Sequence, residues 1–172
     1  MVVILQNIRS LHNVGSIFRT ADAVGVEKLY VCGITPSPFD RFGEVRGDVA
    51  KTALGAEKTV PWDGSARSPL AVSKLLEKLK KDGYTIVALE LDKRAVPYYE
   101  FNGLPRPRRP RNDRGKELGN IALILGGEVD GISPALLKKC DTIIEIPMNG
   151  IKESLNVAVA FGIVAFHFTY AR

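Results

Sequence analysis

Five residues in three distant segments of this 172-residue chain have types and settings suited to chemistry: Asn13 and Arg19, then Glu128, then Ser154 and Asn156. Arginine is a fixed cation for phosphate or a developing oxyanion. Glutamate supplies an acceptor or a proton-accepting group, serine a hydroxyl, and the asparagines amides that both donate and accept. No histidine or cysteine accompanies them in that set, so nucleophilic catalysis of the triad kind is not expected. Each also has a purely structural reading. Asn13 and Ser154 are good helix N-caps, Arg19 can lay its stem along apolar surface, and the glycine-rich stretch around Glu128 can be a tight turn.

That stretch, GGEVDG at 126–131, has three glycines that let backbone approach a ligand closely. Its two carboxylates repel phosphate. Its spacing matches neither the dinucleotide fingerprint nor the P-loop, and no GK[ST] occurs in the chain. A nucleotide-binding enzyme of either kind is therefore poorly supported.

The elements that must position these residues follow from periodicity. Strands are expected at 2–5, 28–32, 59–62, 84–91, 120–125 and 142–146. Helices are expected at 14–24 behind Asn13, 48–54, 68–83, 133–139, and from Ser154 to about 170. A long loop fills 95–119. Alternation of strands and helices argues an α/β fold, a mostly parallel open sheet with helices on both faces. Ligands of such sheets bind beyond the carboxyl ends of the strands, where all three segments fall. The last helix is apolar nearly all round between 157 and 166, so it needs cover on more than one side; the sheet covers one, and a second copy of the chain would cover the other.

Apolar residues make up 45% and charged residues 25%, the balance of a soluble globular protein, and the length suits one domain. The net charge is +5, and all of it resides between 104 and 116, where six cations, among them Arg106, Arg108, Arg109 and Arg111, face one anion. A proline-studded basic segment suits a polyanion such as RNA. Cys32 and Cys140 form no CxxC, read as reduced and buried, and with two histidines leave few ligands for a metal site. No stretch is long and apolar enough for a membrane span, and no signal peptide is read at the start, so a cytoplasmic location is expected.

At the three segments the chain resembles the SpoU (TrmH-like) family of SPOUT methyltransferases: NIRSLHNVGSIFRTADAVG at 7–25, LILGGEVDGIS at 123–133 and IPMNGIKESLNVAVAFGI at 146–163. It departs at Gly127, where the family often has asparagine, and at His167, where glutamate is common. The resemblance implies a C-terminal trefoil knot, a homodimer, and S-adenosylmethionine as cofactor. It implies transfer of a methyl group to a ribose 2′-hydroxyl of tRNA or rRNA. It assigns Asn13, Arg19, Glu128, Ser154 and Asn156 to the catalytic site. Leu89, Glu90, Gly126, Gly127, Ile146, Met148 and Leu155 fall to the cofactor pocket. Arg9, Arg46 and Lys51 join the basic segment as candidates for RNA contact. The competing readings are an RNA-binding protein of the same fold without catalysis, and a base methyltransferase with the same knot.

Overall fold

Every residue of β1 (Val2–Gln6) is buried, and so is every residue of β6 (Ile121–Leu125). Such continuous apolar runs belong to central strands of a parallel sheet covered on both faces. The computed structural model, which describes residues 1–101 and 120–170, has that sheet. The remaining strands are β2 (Lys28–Cys32), β3 (Trp62–Asp63), β4 (Thr85–Leu89), β5 (Val96–Pro97) and β7 (Thr142–Glu145). The order across the sheet is β3-β2-β1-β6-β4-β7-β5, and every pairing is parallel.

Alternate residues of each strand feed two cores. Val3, Leu5, Leu123 and Leu125 face α1 (Leu11–Val24) and α6 (Val157–Tyr170), through Ile17, Phe18, Phe161 and Val164. Val2, Ile4, Ala122 and Ile124 face α4 (Pro69–Lys81) and α5 (Pro134–Leu137), through Val72, Leu76 and Leu137. Two further short helices, α2 (Gly47–Ala53) and α3 (Ala56–Thr59), pack beside α1. Gly15 makes that closeness possible: a Cβ there would collide with the Thr52 hydroxyl and lie 2.7 Å from the Val49 carbonyl oxygen.

The strand order sets up the site. After β3 the chain crosses through α4 to β4, leaving a gap beside β1 that β6 later fills. The loop following β6 therefore emerges between the loops following β1 and β4, all at the carboxyl rim.

Several expected boundaries move. Helix α1 begins at Leu11, capped by Ser10, whose Oγ accepts from the Asn13 N–H at 3.3 Å; Asn13 is not the cap. Helix α6 begins at Val157 rather than Ser154. The strand expected at 59–62 is instead the end of α3 followed by the shorter β3. The expected loop from 95 carries β5 and a 3-10 turn (Tyr98–Glu100). Cys32 is buried, but Cys140 is only half-buried. The basic segment, with Arg106, Arg108, Arg109 and Arg111, lies outside the described residues.

Candidate functional site

Glu128 reaches from the β6 loop onto the start of α1. Its Oε2 accepts from the Arg9 N–H at 3.0 Å, and its Oε1 accepts from the Ser10 N–H at 3.3 Å and from Asn13 Nδ2 at 2.8 Å. Burial pushes the carboxyl upward, but the Arg9 N–H, the Asn13 amide and further backbone N–H groups outweigh it and hold Glu128 below the ordinary carboxylate value. The free N–H groups at the front of a helix favour an anion for the same reason. Glu128 is thus an anchored anion, and a poor proton acceptor while those bonds persist.

The carboxylate also fixes which way the neighbouring amides face. Because Asn13 Nδ2 points at Glu128, its Oδ1 must accept, and it does so from Asn156 Nδ2 at 3.0 Å. That leaves Asn156 Oδ1 to accept from the Ala158 N–H at 2.9 Å and from the Val159 N–H at 3.4 Å, which makes Asn156 the cap of α6. Sequence reasoning gave this capping role to Ser154; the correction frees the Ser154 hydroxyl, which is exposed and makes no hydrogen bond among the described residues. One directed chain of hydrogen bonds therefore joins all three segments: α6 front, Asn156, Asn13, Glu128, α1 front. Its members are accessible at the rim.

Arg19 is not part of that chain. It lies six residues beyond Asn13, about 120° away around the helix. It is exposed, and no hydrogen bond or ion pair involves it among the described residues. It shares its stripe of α1 with His12, which sequence reasoning passed over. His12 Nε2 lies 3.7 Å from Asp48 Oδ1 on α2; its position immediately before Asn13 was the available signal.

Beside the network, Leu91, Glu145, Ile146, Pro147, Met148, Gly150, Lys152 and Glu153 line a cleft of about 310 Å³, within the range of small-molecule sites. Of the residues expected around a cofactor, Ile146 and Met148 line it. Leu89, Glu90, Gly126, Gly127 and Leu155 do not. Leu89 packs against the core, and Leu155 is 38% exposed. The Glu90 carboxylate is committed to backbone, accepting from the Ile132 N–H at 2.8 Å and the Leu91 N–H at 3.0 Å. It thereby ties the end of β4 to the β6 loop. Gly126 and Gly127 serve close packing: a Cβ on Gly126 would lie 2.6 Å from the Gly131 carbonyl carbon, and one on Gly127 would collide with the Asn7 carbonyl oxygen. No asparagine fits at 127 while Asn7 keeps its left-handed backbone, φ 60°.

Of the residues expected to meet RNA, Arg9 pairs with Asp130 at 2.9 Å, both exposed. Arg46 Nε donates to the Ser37 carbonyl at 3.0 Å, and Lys51 pairs with Asp48 at 2.9 Å.

A parallel sheet with its loops gathered at one rim, a directed amide–carboxylate chain there and a cleft of mixed polar and apolar lining define an α/β protein with a candidate site at the carboxyl ends of its strands. The characteristic pattern of the SpoU rRNA methylase family matches residues 1–166, and the chain belongs to that family. It is 32% identical over 166 residues to the 23S rRNA (guanosine-2′-O-)-methyltransferase RlmB of Xanthomonas axonopodis pv. citri, covering 96% of this chain and 57% of that protein. It is 32% identical over 167 residues to the tRNA (guanosine(18)-2′-O)-methyltransferase of Aquifex aeolicus, covering 96% and 67%. Among solved structures, the A. aeolicus TrmH/SpoU tRNA modifying enzyme matches with a TM-score of 0.72 at 32% identity, over 98% of this chain and 73% of that one. The AdoMet-bound rRNA methyltransferase from Sinorhizobium meliloti matches with a TM-score of 0.75 at 25% identity, over 97% and 54%. The chain thus spans little more than half the length of most of these curated relatives.

Proposed function

We propose that this chain is an S-adenosylmethionine-dependent RNA methyltransferase acting on a ribose 2′-hydroxyl of tRNA or rRNA. The observation that carries the reading is the hydrogen-bonded chain Glu128–Asn13–Asn156, which draws three family segments to one rim beside a cleft of cofactor size. The donor set fits the cofactor: Leu91, Ile146, Pro147 and Met148 offer apolar walls to an adenine, and Glu145 and Glu153, set against the single cation Lys152, leave net negative charge for a sulfonium. Bound there, S-adenosylmethionine supplies an electrophilic methyl group.

The chain's own residues have to orient the sugar and manage one proton, so positioning carries much of the rate. Asn13 and Asn156 hold α1 and α6 in register. Ser154 presents a free hydroxyl at the same rim. Arg19 offers a planar guanidinium fork, so its part is to hold a phosphate beside the reacting sugar and to stabilise negative charge developing on oxygen. Arg9, Arg46, Lys51 and the basic segment containing Arg106, Arg108, Arg109 and Arg111 guide the RNA; deleting 104–116 weakens RNA binding and flattens its salt dependence.

The reading includes a homodimer. Val159, Ile163, Phe166 and Tyr170 form an apolar stripe on α6, 36–58% exposed, opposite the face buried through Phe161, Val164 and Phe168. A second copy of the chain covers that stripe. The reading also includes the family's knotted C-terminal segment, a single methyltransferase domain over 1–172, and a cytoplasmic location. No helix among the described residues is long and apolar enough to cross a membrane.

Incubation with labelled S-adenosylmethionine and bulk tRNA or rRNA, followed by alkaline hydrolysis, tests the function. Label recovered in an alkali-resistant dinucleotide supports it. Label in an alkali-sensitive nucleotide makes the chain a base methyltransferase, and RNA binding without transfer makes it a catalytically inactive relative.

A further inference from the structure

The loop joining β2 to α2 presents an aromatic residue to solvent on a closed frame. Its root is tied to the loop after β1: the Ile34 N–H donates to Asn7 Oδ1 at 3.1 Å, and the Ile8 N–H donates to Thr35 Oγ1 at 3.0 Å. Its limbs are joined by a bridge between Phe39 and Val45. The Asp40 N–H donates to the Glu44 carbonyl at 2.8 Å, and the Arg46 N–H donates to the Pro38 carbonyl at 3.0 Å. Asp40 Oδ1 braces the tip, accepting from the N–H groups of Phe42 at 2.8 Å and Glu44 at 3.0 Å. Phe39 stacks on Trp62 below, ring centroids 6.0 Å apart.

At the tip, Phe42 is 74% exposed. The Arg41 guanidinium lies 4.6 Å from its ring centroid. These backbone bonds hold the tip away from the core, and the Phe42 ring stands in water beside a cation. Because β1, β2 and β6 run parallel, the loop rises from the same rim as Glu128, Asn13 and Asn156.

We propose that this loop is a base-stacking finger: the Phe42 ring takes an unpaired base of the substrate RNA, and Arg41 meets the neighbouring phosphate. An aromatic ring with an arginine beside it is how proteins hold splayed bases, and the contact tolerates any base because every base has a π face. The one carboxylate bracing the tip, Asp40, is already occupied by backbone N–H groups, which leaves the Arg41 cation available to a phosphate. The finger rests on the reading of this chain as an RNA methyltransferase, and extends it by assigning substrate selection to an element outside the three family segments.

The test compares the full chain with Phe42→Ala, Phe42→Trp and Arg41→Ala. The readouts are methyl transfer from labelled S-adenosylmethionine to bulk tRNA and rRNA, binding of a fluorescein-labelled RNA stem–loop and of a fully paired RNA of equal length, and cofactor affinity by calorimetry. Fluorescence of Trp62, the sole tryptophan of the wild type, Phe42→Ala and Arg41→Ala, reports that the loop base is intact in those three proteins. Phe42→Ala is expected to weaken stem–loop binding and raise the RNA KM about 10-fold, the order of one lost base–aromatic stack. Paired RNA and cofactor binding stay unchanged, and Phe42→Trp restores the wild-type values. The proposal is overturned if Phe42→Ala leaves stem–loop binding unchanged, as a finger for a protein partner would, or if it weakens paired and looped RNA alike. If the wild-type chain transfers no methyl group to any RNA, the enzymatic reading fails by itself, while the binding comparison still decides the finger.

Discussion

Asn156 Nδ2 donates to Asn13 Oδ1 at 3.0 Å, across 143 positions of sequence. The direction of that bond is forced from both ends, by a carboxylate behind Asn13 and by free helix N–H groups behind Asn156. Replacing Asn156 by aspartate separates its two tasks. Aspartate caps a helix as well as asparagine does, but it has no donor for Asn13. Asn156→Asp is expected to keep the melting temperature within about 2 °C of wild type and to lower methyl transfer about 100-fold, the order of a misplaced reacting group. Asn156→Ala loses the cap as well, about 1 kcal/mol, or roughly 2–4 °C in a chain of this size. Equal melting temperatures for the two variants would refute the capping role.

Glu128 carries a pH signature. Its folded value lies below the ordinary 4.5, so its contribution is present above the unfolded value and is lost as pH falls through the depressed folded value. Wild-type thermal stability should hold steady from neutrality to about pH 5 and decline only below about 4.5, while Glu128→Gln shows a flatter acid limb. A wild-type decline that begins near pH 6 would contradict the anchored carboxylate.

Gly131 and Glu90 are mutually dependent. Gly131 has φ 59°, and a Cβ there would lie 2.5 Å from Glu90 Oε2. Gly131→Ala therefore meets both left-handed strain, roughly 1–2 kcal/mol, and the displaced carboxylate. Glu90→Ala leaves the Ile132 and Leu91 N–H groups without their acceptor. Combining the two should destabilise by less than the sum, by about 0.5 kcal/mol or more, because the collision is counted in one single variant only. Urea unfolding of the four proteins measures the coupling; strict additivity would show that the two do not interact.

Arg19→Ala should cut turnover about 100-fold or more with little change in cofactor affinity, since Arg19 stands apart from the cleft residues. Paired turnover and calorimetric measurements decide. A matching loss of S-adenosylmethionine binding would move Arg19 into the cofactor site.

Phe166→Glu places a charge in the middle of the exposed α6 stripe. Sedimentation is expected to turn from dimer to monomer, with loss of methyl transfer and retention of the circular dichroism spectrum. A wild-type chain that already sediments as a monomer at micromolar concentration would remove the dimer from the reading.

Much of the architecture was legible because its signals are local. The unbroken apolar run at β6 announced a strand covered on both faces, and Ser68-Pro69 announced the start of α4. The capping assignments went wrong where several capping residues stand close together. Ser10 and Asn13, like Ser154 and Asn156, compete for one helix end, and only the backbone path decides which wins. The Glu90 carboxylate was legible as belonging near the rim, but its commitment to Ile132 was not, because that contact spans 42 positions. His12 was passed over because its partner, Asp48, lies on another helix.

Period and propensity act over a few residues, so the sequence by itself determined the elements, the parallel sheet and the three segments at its rim. The insertion of β6 between β1 and β4 was decided only by tertiary structure. That insertion brings Glu128 to Asn13 and Glu90 to Ile132, and therefore decides which polar groups are bound and which stay free. Hydrogen bonds act within about 3 Å, and no local pattern encodes which remote strands will lie that close.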